Sequence, residues 1–94
     1  MNVIVKKNIW KVVAKLPQQI QIMSVEQLEK LEAANNLNEL DNVRHLKGTD
    51  EPYYRLTFND YRFIFHYNED AKTANVIRLK HRKDAYKKHN LPWK

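Results

Sequence analysis

Basic side chains recur at alternating positions in the aromatic second half of the chain, a pattern that brings several cations onto one surface. Arg55, Arg62, Arg78 and Lys80 lie in segments rich in aromatic and β-branched residues, which favour β-strands. Arginine presents a planar fork of N–H donors that matches the oxygens of a phosphate group. The residue types therefore indicate a binding site for a polyanion such as RNA or DNA, or for an acidic protein partner.

A short turn fixes how the predicted strands Tyr53–Phe58 and Tyr61–Tyr67 pair. Asn59 and Asp60 lie between them, and both residue types tolerate the positive φ of a two-residue hairpin turn. The predicted pairs are Phe58 with Tyr61, Thr57 with Arg62, Leu56 with Phe63, Arg55 with Ile64 and Tyr54 with Phe65. A slip by one residue would exchange the two faces, so the whole interpretation depends on this turn.

Cross-strand partners share a face of the sheet, which sorts the hairpin into two sets. The first face is apolar or aromatic and comprises Tyr54, Leu56, Phe58, Tyr61, Phe63 and Phe65. The opposite face, here called the outer face, comprises Tyr53, Arg55, Thr57, Arg62, Ile64 and His66. On a last strand, Thr73–Lys80, we expect Ile77 and Leu79 on the apolar face and Val76, Arg78 and Lys80 on the outer face.

The outer face has no carboxylate at any assigned position, whereas an ordinary solvated face mixes charges of both signs. An anion-binding groove is the favoured interpretation, and a plain solvated face is the alternative. Such a groove could hold RNA while its 2′-hydroxyl attacks the adjacent phosphate, since cations stabilise the charge of that transition state. Tyr86, or a lysine among the other cations, could transfer a proton in this reaction.

The remaining elements place this sheet in an α+β fold. We predict a strand at Asn2–Val5, a helix at Lys6–Leu16, a second helix over residues 18–34 and a strand at Val43–Leu46. Ile22 and Val25 interrupt the apolar side of the second helix, so it is either covered on two sides or broken near Ser24. Ser24 and Gln27 have capping-box spacing, which favours a restart there. A helical hairpin should pack on one face of a mainly antiparallel sheet, with a short helix or tail at Lys83–Lys88.

Length and composition restrict the function classes. The 94 residues suit one domain, contain no cysteine and carry 17 Lys and Arg against 11 Asp and Glu. The charges balance over residues 1–42, so the whole net charge of +6 lies in residues 43–94. Without cysteine there is no disulfide or thiol nucleophile, and the four histidines lack metal-ligand spacing. We expect a cytoplasmic protein with no membrane segment, no metal and no cofactor.

Four motifs in order resemble the RelE/ParE superfamily of toxins from type II toxin–antitoxin systems, particularly HigB- and RelE-like plasmid-stabilisation proteins. They are Leu46-Lys47-Gly48, Tyr54-Arg55-Leu56, Asp60-Tyr61-Arg62 and His81-Arg82-Lys83-Asp84-Ala85-Tyr86. The resemblance spans nearly the whole chain and implies a single RelE-like domain over residues 1–94. It also implies a cognate antitoxin as partner and ribosome-dependent cleavage of mRNA without a metal.

Carried over by motif, the resemblance implies catalytic roles for Arg55, Arg62, Lys80, Arg82 and Tyr86. Further contacts to nucleic acid are expected from Lys47, Arg78, His81, Lys83 and Lys87. The sequence departs from the family pattern at Thr57, where a second basic residue is common, and at Asn59, where glycine is usual. The alternatives are a ParE-like inhibitor of DNA gyrase that cuts no RNA, and an inactive module that only binds an antitoxin.

Overall fold

The computed structural model describes residues 1–48 and 50–81, which form two helices, one 3₁₀ turn and one five-stranded sheet. The elements are β1 (Asn2–Val5), α1 (Lys7–Val13), α2 (Gln18–Ala33), the 3₁₀ turn Leu37–Glu39, β2 (Val43–His45), β3 (Tyr53–Phe58), β4 (Tyr61–Asn68) and β5 (Thr73–His81). The predicted helix or tail at Lys83–Lys88 lies outside the described residues.

The sheet is mainly antiparallel, with strand order β1-β5-β4-β3-β2. β1 pairs with β5 in parallel, while β2, β3, β4 and β5 pair successively in antiparallel fashion. Both helices pack on the same face of this sheet, as an amphipathic helical pair must in order to bury its apolar sides. The predicted α+β fold is confirmed.

The core lies between the helices and the apolar face of the β3–β4 hairpin. Leu31, Phe63 and Phe65 are fully buried there. The same cluster includes Ile9, Val13, Ile20, Leu28, Leu56, Phe58, Val76 and Leu79. Because this face holds the apolar side chains, strand alternation directs the intervening residues to the outer face.

Helix α1 ends at Val13, short of the predicted Leu16. The N–H groups of Lys15 and Leu16 donate to the carbonyls of Val12 and Val13 at 3.1 and 3.0 Å, which closes tighter turns than an α-helix. Pro17 follows directly, and proline disfavours helical backbone at the residue before it. The chain therefore turns at once into α2.

The predicted break in α2 near Ser24 is wrong, because the helix runs from Gln18 to Ala33 without interruption. A capping serine accepts a hydrogen bond from a backbone N–H, but the buried Ser24 hydroxyl donates 2.7 Å to the carbonyl of Ile20. The proposal of cover on two sides fails as well, since Ile22 and Val25 are exposed. The helix packs through one side only.

Candidate nucleic-acid interface

The β3–β4 hairpin has the predicted register. Asn59 adopts a φ of 54°, and its side-chain oxygen accepts a hydrogen bond of 2.8 Å from the Asp60 N–H. Arg55 consequently lies opposite Ile64, and Thr57 lies opposite Arg62. Arg55 and Arg62 are diagonal neighbours on adjacent strands. At such positions long side chains come within reach of each other.

Strand β5 adds two more cations to this surface. Arg78 lies opposite Ile64, and Lys80 lies opposite Arg62. Leu79 is buried on the apolar face, as alternation requires. The predicted faces of Arg78, Lys80 and Leu79 are thus confirmed.

The predictions for Ile77 and Val76 are wrong, because β5 contains a bulge. Phe65 pairs with Val76 and Ile64 pairs with Arg78, so Ile77 is an extra residue with no partner on β4 in this ladder. Val76 is fully buried in the core, whereas Ile77 is only half-buried. A bulge inserts one residue and so changes the phase of the alternation, which strict period-two counting cannot anticipate.

Arg44 is a basic residue of the outer face that the sequence analysis did not assign. Its neighbour Val43 pairs with Leu56 in the core, and Arg44 itself pairs with Arg55. Its Nη1 donates to the carbonyls of Asp41 and Val43 at 2.8 and 2.9 Å. The apolar Val43 beside it is the sequence signal that could have identified Arg44, because the residue after a core position on a strand faces outward.

The basic residues of the outer face form two rows across the sheet, here called the cationic rows. The first row is Arg44, Arg55, Ile64 and Arg78, and the second is Thr57, Arg62 and Lys80. None of the five described strands contains Asp or Glu. Every Lys and Arg of these strands therefore contributes positive charge to one face, with no acidic strand residue to offset it.

The centre of the cationic rows is sheltered from solvent. Ile64 is only 1% exposed, and the Nε and Nη1 atoms of Arg62 are buried. Arg55 is half-buried, while Arg78 is exposed. Because electrostatic interactions strengthen as water is excluded, an anion at this centre gains more from each cation than one on an open surface.

An aromatic pair borders the rows. The rings of Tyr53 and His66, which are cross-strand partners, meet edge to face with centroids 5.3 Å apart. His81 lies elsewhere, since it pairs with Tyr61 and its ring contacts the Tyr61 ring at 5.2 Å. Tyr61 packs against the core, so His81 lies on the helical side of the sheet and apart from the cationic rows.

The other predicted site residues fall into two groups. Lys47 is exposed in the turn after β2, beside Gly48, which adopts a φ of 87°. Arg82, Lys83, Tyr86 and Lys87 lie outside the described residues. Their roles stay predictions.

Two classes of feature are not found in residues 1–48 and 50–81. No three His, Asp or Glu side chains come together in a way that could hold a metal ion. Neither described helix is long and apolar enough to span a bilayer.

Solved structures similar to this chain are RelE toxins. A chain of the archaeal RelE–RelB complex from Pyrococcus horikoshii OT3 is 29% identical, with a TM-score of 0.72 over 89% of this chain and 97% of that one. The RelB–RelE complex from Methanococcus jannaschii gives 27% identity and a TM-score of 0.69, over 90% and 96%. The isolated Escherichia coli RelE toxin shares the fold at 15% identity, with a TM-score of 0.61 over 90% and 87%.

No family model and no curated protein matches the sequence. The agreement with RelE structures nevertheless covers nearly all of each chain, in the same fold that carries the cationic rows. The class is an α+β toxin fold. The chain has the fold of the RelE toxins, and the resemblance to the RelE superfamily that its four motifs indicate is confirmed.

Proposed function

We propose that this chain is the toxin of a toxin–antitoxin module and that it inhibits translation by cutting mRNA on the ribosome. The cationic rows are the observation that carries the proposal. Arg55, Arg62 and Lys80 come from three neighbouring strands and share the outer face, where no strand residue is acidic. A folded sheet holds these groups in place before RNA arrives, so little further ordering of the side chains is needed to reach the transition state.

The reaction that fits this surface is attack of a 2′-hydroxyl oxygen on the adjacent phosphorus, with departure of the 5′-oxygen. Arg55 and Arg62 would hold the scissile phosphate and stabilise its added negative charge. Lys80 and Arg82 would bind neighbouring phosphates. Tyr86 would transfer a proton to or from the reacting oxygens. DNA lacks the 2′-hydroxyl, so cleavage would be restricted to RNA.

In this proposal, Arg44 compensates for the basic residue that is missing at Thr57. Thr57 leaves one position on β3 without the second basic residue common in the family. Arg44 lies directly opposite Arg55 on β2 and so adds a cation to the first row, next to the row that contains Thr57. In this proposal the two rows together keep enough positive charge to bind the RNA backbone.

The proposed protein partner is a cognate antitoxin. The similar structures from P. horikoshii and M. jannaschii are complexes of RelE with RelB. An acidic, partly disordered segment that folds on binding would complement the cationic rows or cover the helical pair. A complex with an electrostatic rim should weaken as salt rises.

The test is to map mRNA 5′ ends genome-wide after a short pulse of expression without antitoxin. We expect new 5′ ends inside translated reading frames and growth arrest from the wild type. Arg62→Ala, Arg55→Ala and Tyr86→Phe should each lose both effects, while Lys30→Ala, an exposed change on α2, should keep them. Circular dichroism of each purified variant establishes that it is folded.

Three outcomes would contradict the cleavage proposal. Intact mRNA with gyrase-dependent DNA breaks would support the ParE-like alternative. Normal growth without antitoxin would support a module that only binds its partner. Full toxicity of Arg62→Ala and Tyr86→Phe would exclude the assigned residues.

A further inference from the structure

A polar pocket opens on the outer face beside the start of α1. Its volume is about 250 Å³, and it is lined by Lys6, Asn8, Tyr53, Ile77 and Arg78. Two of these side chains are cations, two are neutral hydrogen-bonding groups, and none is a carboxylate. The pocket is therefore suited to an anion of small size.

The bulge in β5 builds this pocket. β1 runs parallel to β5 as far as the pair Val5–Val76, and the Lys6 N–H then donates to the Val76 carbonyl at 3.4 Å. This bond holds Lys6 next to the extra residue Ile77, where the ladder changes phase. Arg78 follows the bulge and faces outward, so residues distant in sequence line one cavity.

The pocket is continuous with the cationic rows. Arg78 is the end of the first row and also lines the pocket. Tyr53 lies two positions before Arg55 on β3, so strand alternation puts both on the outer face. The pocket therefore lies beside the surface on which Arg55 and Arg62 would hold a strand of nucleic acid.

The lining groups suit a phosphodiester. The Arg78 guanidinium presents paired N–H donors to phosphate oxygens, and the Lys6 ammonium supplies a compact charge. The Asn8 amide and the Tyr53 hydroxyl can donate further hydrogen bonds. Several donors from different elements around one cavity match the several acceptor oxygens of a phosphate.

We propose that this pocket binds a second phosphate of the RNA strand, next to the scissile phosphate held by Arg55 and Arg62. The proposal rests on the proposed function, because it assumes that RNA occupies the cationic rows. It adds Lys6 and Asn8, and assigns one phosphate to Arg78, as residues that position the strand without contacting the reacting atoms.

The first experiment measures binding of a short, fluorescently labelled 2′-O-methyl RNA, which cannot be cleaved, by anisotropy over a range of salt concentrations. For single-stranded nucleic acid, the slope of log affinity against log salt changes by about 0.7 for each phosphate contact. Lys6→Gln and Arg78→Gln should each reduce the slope by up to about that amount. Lys7→Gln is the matched control, since Lys7 is exposed, adjacent in sequence and absent from the pocket lining.

The second experiment locates the contact. A set of the same oligonucleotides carries one neutral methylphosphonate linkage each, at successive positions. One linkage should weaken binding to the wild type and to Lys7→Gln but have a much smaller effect on Arg78→Gln, which keeps only Lys6 as a cation in the pocket. The linkage that loses its effect in Arg55→Gln should be a different one.

The outcomes separate this inference from the proposed function. If the wild type binds RNA with a salt-dependent affinity but Lys6→Gln and Arg78→Gln behave like Lys7→Gln, the pocket proposal is wrong and the proposed function stands. If a neutral linkage affects Arg78→Gln and the wild type equally, the pocket proposal is also wrong. If the wild type binds no RNA at all, the pocket proposal is wrong, and the 5′-end mapping alone decides the proposed function.

Discussion

The Ser24 hydroxyl is fully buried within α2 and donates to the carbonyl of Ile20 in the preceding turn. This bond satisfies the hydroxyl inside the helix, so the serine does not start a new one. Its small size also lets α2 lie close to the core, because a buried position leaves no room for a larger side chain. The direction of one hydrogen bond thus decides between a continuous helix and a broken one.

Two substitutions at Ser24 test this account by urea unfolding. Ser24→Ala should change the free energy of unfolding by no more than about 1 kcal/mol, since alanine favours helix and the hydroxyl bond contributes a similar amount. Ser24→Leu should destabilise by about 1–3 kcal/mol, because it overfills the site. Glu26→Leu, at an exposed position of the same helix, is the control. Equal stability of Ser24→Leu and Glu26→Leu would contradict tight packing at Ser24.

At the scale of elements, turns and the β-bulge determine which side chains lie on each face of the sheet. Asn59 in the β3–β4 turn and Lys72 before β5 both adopt positive φ, at 54° and 49°. Asparagine tolerates this conformation because its short polar side chain can form local hydrogen bonds, whereas lysine adopts it at a cost. The bulge at Ile77 then moves Val76 into the core and keeps Arg78 and Lys80 outside.

The backbone at Lys72 offers a stabilising substitution. Lys72→Gly should raise the free energy of unfolding by up to about 1 kcal/mol, because relief of the left-handed strain exceeds the added entropy of the unfolded chain. Lys72→Ala removes the same charge and keeps the Cβ atom, so it should give no gain. Thermal or urea unfolding measures the difference. A Lys72→Ala variant as stable as Lys72→Gly would show that charge, not backbone conformation, is responsible.

At the scale of the whole molecule, the distribution of charge is more important for the proposed RNA binding than the net charge. Residues 1–42 are balanced, and the excess positive charge belongs to residues 43–94. The described strands contribute their Lys and Arg to one face, opposite the helices. This asymmetry concentrates positive potential on the outer face, which is the arrangement that the proposed RNA binding requires.

Heparin affinity chromatography compares the two sides of the molecule at equal net charge. A variant with Arg55, Arg78 and Lys80 changed to Gln should elute at much lower salt than the wild type, because it loses three of the five cations of the cationic rows. A control with Lys7, Lys11 and Lys15 changed to Gln loses the same charge from exposed positions on and after α1 and should elute nearer the wild type. Identical elution of the two variants would mean that net charge alone governs binding.

The sequence alone determined the β3–β4 hairpin and its two faces. Asn59 and Asp60 form a turn through their own local chemistry, and the alternation of side chains then assigns Arg55 and Arg62 to the outer face. The core side chains of the hairpin, such as Phe63 and Phe65, follow from the same rule. These features depend on neighbours in the chain, so local patterns predict them.

Only the tertiary structure decided the bulge at Ile77, the position of Arg44 beside Arg55 and the continuity of α2 through Ser24. Each depends on a partner that is remote in sequence: β5 meets both β1 and β4, Arg44 pairs across the sheet, and Ser24 is buried by packing. Period-two and helical patterns contain no information about such partners. The pocket lined by Lys6, Tyr53 and Arg78 is a consequence of such contacts, since three distant segments meet there.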